Sequence, residues 1–176
     1  MINQGAEMSK LIERLTEDII RAFEIEVPIK DIDFVVKKLG GKLKTSESYS
    51  TTCLCKQGDG FIIVIPNYGS EERKRFMVSR EIGHLFLHMG YLINEELWKV
   101  QQSGSVYVNN SSAEAEYHAT EFAEALLMPR SQYKEVLRQN TCNNLVSTSK
   151  IAEVFRVSIT AASNRGKMLG YLQEQP

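Results

Sequence analysis

The sequence lacks an excess of charge of either sign, since its 176 residues contain 21 Lys and Arg against 22 Asp and Glu. No overall field therefore attracts nucleic acid or an anionic membrane, and any such partner has to be bound by a local patch. A long apolar run is also lacking: the longest, Phe61 to Ile65, is far shorter than the roughly 20 residues that cross a bilayer. No basic stretch leads into an apolar one near the first residue, so we expect no signal peptide, no membrane partner and a cytoplasmic location.

Cysteine is scarce, and its spacing does not suggest disulfides. Cys53, Cys55 and Cys142 are odd in number, and the first two lie two apart in a predicted strand, where their side chains would share one face. Such a pair could bind a metal or take part in redox chemistry. Because no second pair is present, we favour two reduced, half-buried thiols.

Apolar side chains make up 43% of the sequence, which is enough for one core in a chain too short for two full domains. We therefore expect a single domain over residues 1–176. Helical spacing predicts helices over residues 9–26, with Ser9 as the N-cap, and over residues 29–39, 71–90, 112–128, 131–139, 149–155 and 159–168.

Strand-like segments lie between the second and third predicted helices. They cover residues 42–46, 51–56 and 61–66, and Gly58-Asp59-Gly60 between the last two is a hairpin signal. Residues 91–111 are expected to form a long loop with one short helix around Trp98. This order predicts an α+β domain with a small antiparallel sheet.

The helix predicted over residues 71–90 carries part of a metal-binding motif. In a zincin, two histidines four apart on one helix face hold the metal, and the glutamate after the first polarises the bound water. Glu81 and His84 occupy the second and last positions of His-Glu-x-x-His, whereas the first position is Arg80. Taken alone, Glu-x-x-His on a helix is weak evidence, because most such histidines are core or surface residues.

The helix predicted over residues 112–128 offers a further carboxylate. Glu116, Ala119 and Thr120 lie on one helical stripe, which can face the His84 helix. The alternative is a packing face with Glu116 as a solvated flank. The two interpretations are compatible, because a metal site between helices needs small residues that let the helices approach.

Together these segments resemble the ImmA/IrrE metallopeptidases. The pattern of that family is Arg-x-Arg-Phe leading into His-Glu-x-Gly-His, followed later by Glu-x-x-Ala and by Leu-Leu-Met-Pro. The matching positions here are Arg73, Arg75, Phe76, Glu81, Gly83, His84, His88, Glu116, Ala119, Phe122, Ala123 and Leu126 to Pro129. The resemblance covers about residues 10–172 and implies a zincin-like metallopeptidase core.

The resemblance also implies site roles. His84 and Glu116 would be zinc ligands, and Glu81 would be the catalytic general base that takes a proton from zinc-bound water. His88 and Thr120 would support the site from outside the ligand set, although the family usually has Asn or Asp where Thr120 stands.

Arg80 is the larger departure from the family pattern. A guanidinium group has no lone pair to donate and carries a charge that repels a cation, so Arg80 cannot replace a zinc ligand. We predict that Arg80 pairs with Glu116 or Glu81 in place of the metal's charge, so that zinc is expected for the family but not necessarily for this chain. The alternative is a site completed by His88 and His118.

Residues 149–170 show a helix-turn-helix pattern with Ser158 at the turn. Its basic residues, Arg156, Arg165 and Lys167, could contact phosphate, but they are few and the second helix contains a glycine. We therefore expect this segment to serve substrate docking or structure, and not DNA binding.

By resemblance, the family cleaves helix-turn-helix repressors and thereby derepresses genes of phages, mobile elements or stress operons. Three functional hypotheses follow for this chain, and the weakest of them is direct DNA binding through residues 149–170. The first is a metallo-endopeptidase-family regulator of such a repressor, impaired by Arg80. The second is a catalytically inactive binding module that binds the regulator protein without cleaving it.

Overall fold

The computed structural model describes residues 2–104, 106, 112–142 and 145–173. Helices and short strands follow one another in a mixed order that confirms the predicted α+β class and agrees with a zincin-like fold. The helices are α1 (Ile2–Ala22), α2 (Ile32–Lys38), α3 (Glu71–Leu87), α4 (Glu95–Val100), α5 (Ala113–Leu127), α6 (Arg130–Gln139), α7 (Thr148–Phe155) and α8 (Ile159–Met168). The strands are β1 (Gly41–Ser46), β2 (Cys53–Gln57), β3 (Gly60–Pro66), β4 (Thr141–Cys142) and β5 (Leu145–Val146).

The predicted helix boundaries agree with the structure within a few residues, except at the start of the chain. Helix α1 begins at Ile2, so Ser9 lies inside it and is not its N-cap. Ala6, Glu7 and Met8 are strong helix formers, and they extend the helix backward from the predicted start.

The second helix and the loop before α5 differ in smaller ways from the prediction. Helix α2 begins later because Asp31 caps it, its carboxylate accepting hydrogen bonds from two backbone N–H groups of the first turn. The short helix expected around Trp98 is α4. The rest of the loop prediction falls partly on residues 105 and 107–111, outside the described residues.

The sheet is mixed, which corrects the expectation that it is wholly antiparallel. Strands β2 and β3 form the predicted antiparallel hairpin, but β1 pairs with β3 in parallel. The order is β1-β3-β2, so the most apolar strand is central and contributes the buried side chains Phe61, Ile63 and Ile65. After β1 the chain passes to the opposite edge of the sheet and forms β2. The hairpin then returns as β3 between the two, so that β3 runs parallel to β1.

Two compact units can be distinguished, one of residues 31–123 and one of residues 1–30 with 124–176. In the first, α3 packs on β3 and β2, and its apolar face buries Val78, Ile82, Leu85 and Phe86 in the core. Phe86 stacks with Phe122 of α5 at a centroid distance of 6.1 Å. The expectation of one domain over residues 1–176 stays a prediction.

The second unit contains α1 and α6–α8, with β4 and β5 as a two-residue ladder. Helices α7 and α8 pack on each other, and the Ser158 hydroxyl accepts a hydrogen bond from the Ala161 backbone N–H at 3.1 Å, so the predicted cap is present. Tyr133 of α6 donates from its hydroxyl to the Ala162 carbonyl at 2.7 Å and stacks with Phe155. Helix α8 is therefore held from inside by an aromatic cluster.

None of the helices in the described part of the chain combines the length and the apolar character that a bilayer crossing requires. The three cysteines carry free thiols, as predicted. Cys53 and Cys55 are half-buried, and burial raises the pKa of both thiols, which makes them poor nucleophiles at neutral pH.

Candidate functional site

The candidate site lies where α3 and α5 approach each other closely. A Cβ atom added to Gly83 would lie 3.1 Å from the Cα and the carbonyl oxygen of Ala119, so only the smallest side chains fit at this crossing. Arg80 and His84 share the face of α3 that carries this contact, and Glu116 lies one turn before Ala119 on α5. The crossing therefore brings residues of the two sequence motifs together.

His84 and Glu116 converge as the sequence predicted. The His84 Nε2 atom lies 3.5 Å from the Glu116 Oε1 atom, and the two side chains differ in exposure, at 2% for His84 and 36% for Glu116. Arg80 does not point into solvent: its Nη2 atom donates to the other carboxylate oxygen of Glu116. Of the two partners predicted for Arg80, Glu116 is the one that it binds.

The hydrogen bonds of His84 define its tautomer. Its Nδ1 atom lies 3.0 Å from the Nδ1 atom of His88, and its Nε2 atom faces Glu116. A neutral imidazole that satisfies both contacts carries its proton on Nε2 and accepts from His88 at Nδ1. In this tautomer the Nε2 proton faces the Glu116 carboxylate, and a metal at this position would have to displace that proton.

Burial is the main cause of the shifted pKa values in the site. It lowers the pKa of His84 to about 4, a shift that the nearby Glu116 carboxylate opposes and that His88 and Arg80 reinforce. Burial also lowers the pKa of His88, and the nearby His118 adds to this effect. Both imidazoles are therefore neutral near pH 7.

The Glu81 side chain has a hydrogen-bond partner next to the sheet. The Thr52 hydroxyl, just before β2, donates to the Glu81 Oε1 atom at 2.6 Å. Burial raises the pKa of the Glu81 carboxyl; Thr52 and Arg80 oppose this increase, and Glu116 adds to it. No sequence signal pointed to the Thr52 contact, because the two residues are 29 positions apart and no motif joins them.

Thr120 and His118 are half-buried on α5, but they occupy different stripes of that helix. Thr120 follows Glu116 by four residues and shares its stripe, as predicted. His118 has its ring against Tyr117, with a centroid distance of 6.0 Å. The supporting roles predicted for Thr120 and His88 stay predictions, although a hydrogen bond to the neighbouring imidazole gives His88 a place beside the site.

The residues of the site do not fit zinc. A protein zinc site needs three or four ligand atoms in tetrahedral positions. In the part of the chain that the structure describes, no group of three or more His, Cys, Asp or Glu residues converges as a metal site would require. His84 and Glu116 are two donors, the third position holds a cation, and the alternative completion by His88 and His118 is not met.

Two of the three basic residues considered for phosphate contact are engaged within the protein. Arg165 is fully buried, with its guanidinium bound to the Glu13 carboxylate and its Nε atom donating to the Met128 carbonyl at 3.0 Å. Arg156 is exposed and donates to the Lys30 carbonyl at 3.2 Å. A helix-turn-helix pair that uses its cations in this way is better suited to a structural role than to reading DNA.

Acidification from pH 7 to pH 5 is expected to destabilise the fold through His84. The unfolded imidazole takes up a proton below about pH 6.5, whereas the folded one stays neutral until about pH 4, so stability present above pH 6.5 is lost as the pH falls. Each pKa unit corresponds to about 1.4 kcal/mol, which gives a loss of roughly 2 kcal/mol between these two pH values. Urea unfolding of the wild type and of His84→Gln at both pH values measures it. An equal pH dependence in the two proteins would contradict the assignment to His84.

Comparison with solved structures shows the fold. A Mycobacterium tuberculosis transcriptional regulator is similar in structure, with a TM-score of 0.56 and 13% identity, over 88% of this chain and 45% of that one. The chain thus spans less than half the length of that regulator, and the likeness concerns the fold alone. No curated protein matches the sequence significantly.

Comparison with family models places the chain more specifically. The model described as the IrrE N-terminal-like domain, of zinc-dependent metallopeptidase type, matches residues 29–167. The matched range contains both helices of the candidate site and the segment of α7 and α8 up to residue 167. Because this range covers most of the sequence, the chain belongs to the peptidase family of the IrrE N-terminal-like domain.

Proposed function

We propose that this chain is a regulatory member of its peptidase family that binds a regulator protein without hydrolysing it. The observation that carries the proposal is the ion pair between Arg80 and Glu116, which occupies one predicted ligand with a cation. The partner that the family resemblance favours is a helix-turn-helix transcriptional repressor.

Hydrolysis of a peptide bond at this site would require a metal. A bound divalent ion lowers the pKa of water from about 15.7 to near 7 and polarises the carbonyl group. Glu81 alone does neither, and its carboxylate already accepts a hydrogen bond from Thr52. Without that assistance, Glu81 would have to take a proton from ordinary water, which would then attack an unpolarised carbonyl, so the chain's own residues support binding better than cleavage.

The site nevertheless remains open to a partner. The side chains of Arg80 and Glu116 are each about one-third exposed, at 33% and 36%, so the ion pair lies at the surface of the α3–α5 crossing. A peptide segment that reaches this pair meets both a donor and an acceptor, which suits backbone recognition. With a repressor as the partner, we also propose a cytoplasmic location.

Restoring the missing histidine tests the loss of metal chemistry. We expect Arg80→His to bind zinc stoichiometrically, because the introduced imidazole would join His84 and Glu116 as a third donor, while the wild type should hold little zinc after the same treatment. Arg73→His is the matched control, since it adds a histidine to an exposed position of the same helix. Metal content by mass spectrometry after gel filtration is the readout, and stoichiometric zinc in the wild type would overturn the proposal.

Mixing the chain with its candidate partner tests the binding role. The partner to test is a helix-turn-helix repressor whose gene neighbours that of this chain. Gel filtration detects a complex, and intact-mass measurement in the presence of zinc detects cleavage. A stable complex with two uncut chains is expected for the wild type. A cut repressor would instead support the impaired peptidase, and the absence of any complex would contradict binding.

A further inference from the structure

We propose that Arg80 is a resident cation, whose guanidinium joins α3 to α5 electrostatically and makes the site stable without a metal ion. The family's metal chemistry and the residues present here do not match, and a fixed positive charge is what this mismatch leaves in the site. The proposed role concerns the stability of the fold, so it holds whether or not the chain binds a regulator protein.

The charges around Arg80 favour a positive group. The Arg80 Nη2 atom donates to the Glu116 carboxylate of α5, and the Glu81 carboxylate belongs to the next residue of α3. Arg80 therefore offsets the repulsion between two neighbouring negative groups near packed helices.

The ion pair lies where it can hold α3 and α5 together. Arg80 and Glu116 are 36 residues apart in sequence and lie on different helices, one turn from the tight contact between Gly83 and Ala119. An ion pair at this point links the two helices on the solvent-exposed side of their contact. The stacked pair of phenylalanines described above also joins α3 to α5, on the apolar side.

One detail indicates that the site is not shaped for arginine alone. The Arg80 Nε atom is buried, and among the described residues it has no hydrogen-bond acceptor. A buried donor without an acceptor opposes folding. The charge pairing with Glu116 must outweigh this loss, so the net effect of Arg80 should depend strongly on whether residue 116 has a carboxylate side chain.

A double-mutant cycle measures this dependence. Urea unfolding of the wild type, Arg80→Met, Glu116→Gln and the double variant, all in EDTA, gives the folding equilibrium constants. We expect Arg80→Met to lower the constant about five- to tenfold, because it removes the guanidinium from a partly exposed pair that lies beside a second carboxylate. The double variant should recover at least about threefold of that loss. The exposed pair of Glu71 and Lys74 on the same helix is the matched control, and its cycle should show little coupling.

Each outcome decides the inference. Additive effects of the two substitutions would show that the pair does not join the helices, and a wild type that loses stability in EDTA would show that a metal, and not Arg80, supplies the charge. If Arg80→Met does not fold, Arg80→Lys and Arg80→Gln are compared: the lysine variant should be the more stable, and equal stability would overturn the role of charge. None of these measurements involves a partner or cleavage, so they fail or succeed independently of the proposed function.

Discussion

Arg165→Met is expected to destabilise the unit that contains α1 and α8 by about 3–5 kcal/mol, the typical effect of removing one member of a buried ion pair. Arg165 is fully buried, and it binds both oxygens of Glu13, one of them at 3.0 Å. Its removal leaves the Glu13 carboxylate, 18% exposed, without that partner, and it also deprives the Met128 carbonyl of a donor. Chemical unfolding followed by circular dichroism measures the loss.

Two further variants make the cause of this loss identifiable. Arg138→Met removes an exposed ion pair with Glu135 on α6 and should change stability little, because solvent screens such a pair. Combining Arg165→Met with Glu13→Gln should restore part of the loss, because the carboxylate that was left alone is then neutral. If the double variant is no more stable than Arg165→Met, lost packing and not the ion pair explains the effect.

Gly83→Val is expected to destabilise the unit of residues 31–123 by about 3 kcal/mol, near the upper end for overpacking. The first added atom already lies 3.1 Å from backbone atoms of Ala119 and from the Phe122 Cβ atom, and two methyl groups follow it. The helices must move apart, which also separates His84 from Glu116. Unfolding midpoints report the stability, and histidine NMR shifts report the change at His84.

Gly5→Val is the control for Gly83→Val. Gly5 lies in α1, where an added Cβ meets no atom within 4 Å, so only helix propensity changes. Valine is a slightly better helix former than glycine, and this variant should be neutral or a few tenths of a kcal/mol more stable. A Gly83→Val protein as stable as the wild type would contradict the close approach on which the site depends.

The charge of Arg80 connects these results with function. Within this family, the chain retains the glutamate and one histidine of the motif but has a guanidinium where a ligand would stand. The structure pairs that guanidinium with Glu116, and the His84 Nε2 atom lies 3.5 Å from the same carboxylate. In this site the charge of Arg80 is neutralised by Glu116 without a metal ion, which is why we propose binding and not hydrolysis.

Local patterns were sufficient for much of the site. Helical spacing placed His84 and Glu116 on stripes that can face each other. The small residues at positions 83 and 119 lie on the same two helices, and they are where the helices approach most closely. Both signals act over one or two turns of a helix, so they can be read directly from the order of residues.

The partner of Arg80 could not be read in the same way. The sequence left the choice between Glu116 and Glu81 open, because both carboxylates are within reach of a long side chain on α3. In the structure Arg80 donates to Glu116, whereas Glu81 accepts from the Thr52 hydroxyl. A hydrogen bond between side chains 29 residues apart has no local signature in the sequence.

The sequence by itself determined the α+β class, the position of most helices, the β2–β3 hairpin and the residues that meet at the α3–α5 crossing. These features depend on hydrophobic period, caps and turn residues, which act over a few positions. Only the tertiary structure decided the parallel pairing of β1 with β3, the partner of Arg80, and the burial of Arg165 against Glu13. Each of these joins residues that are distant in sequence, and charge pairing and desolvation at such contacts depend on which groups the folded chain brings together.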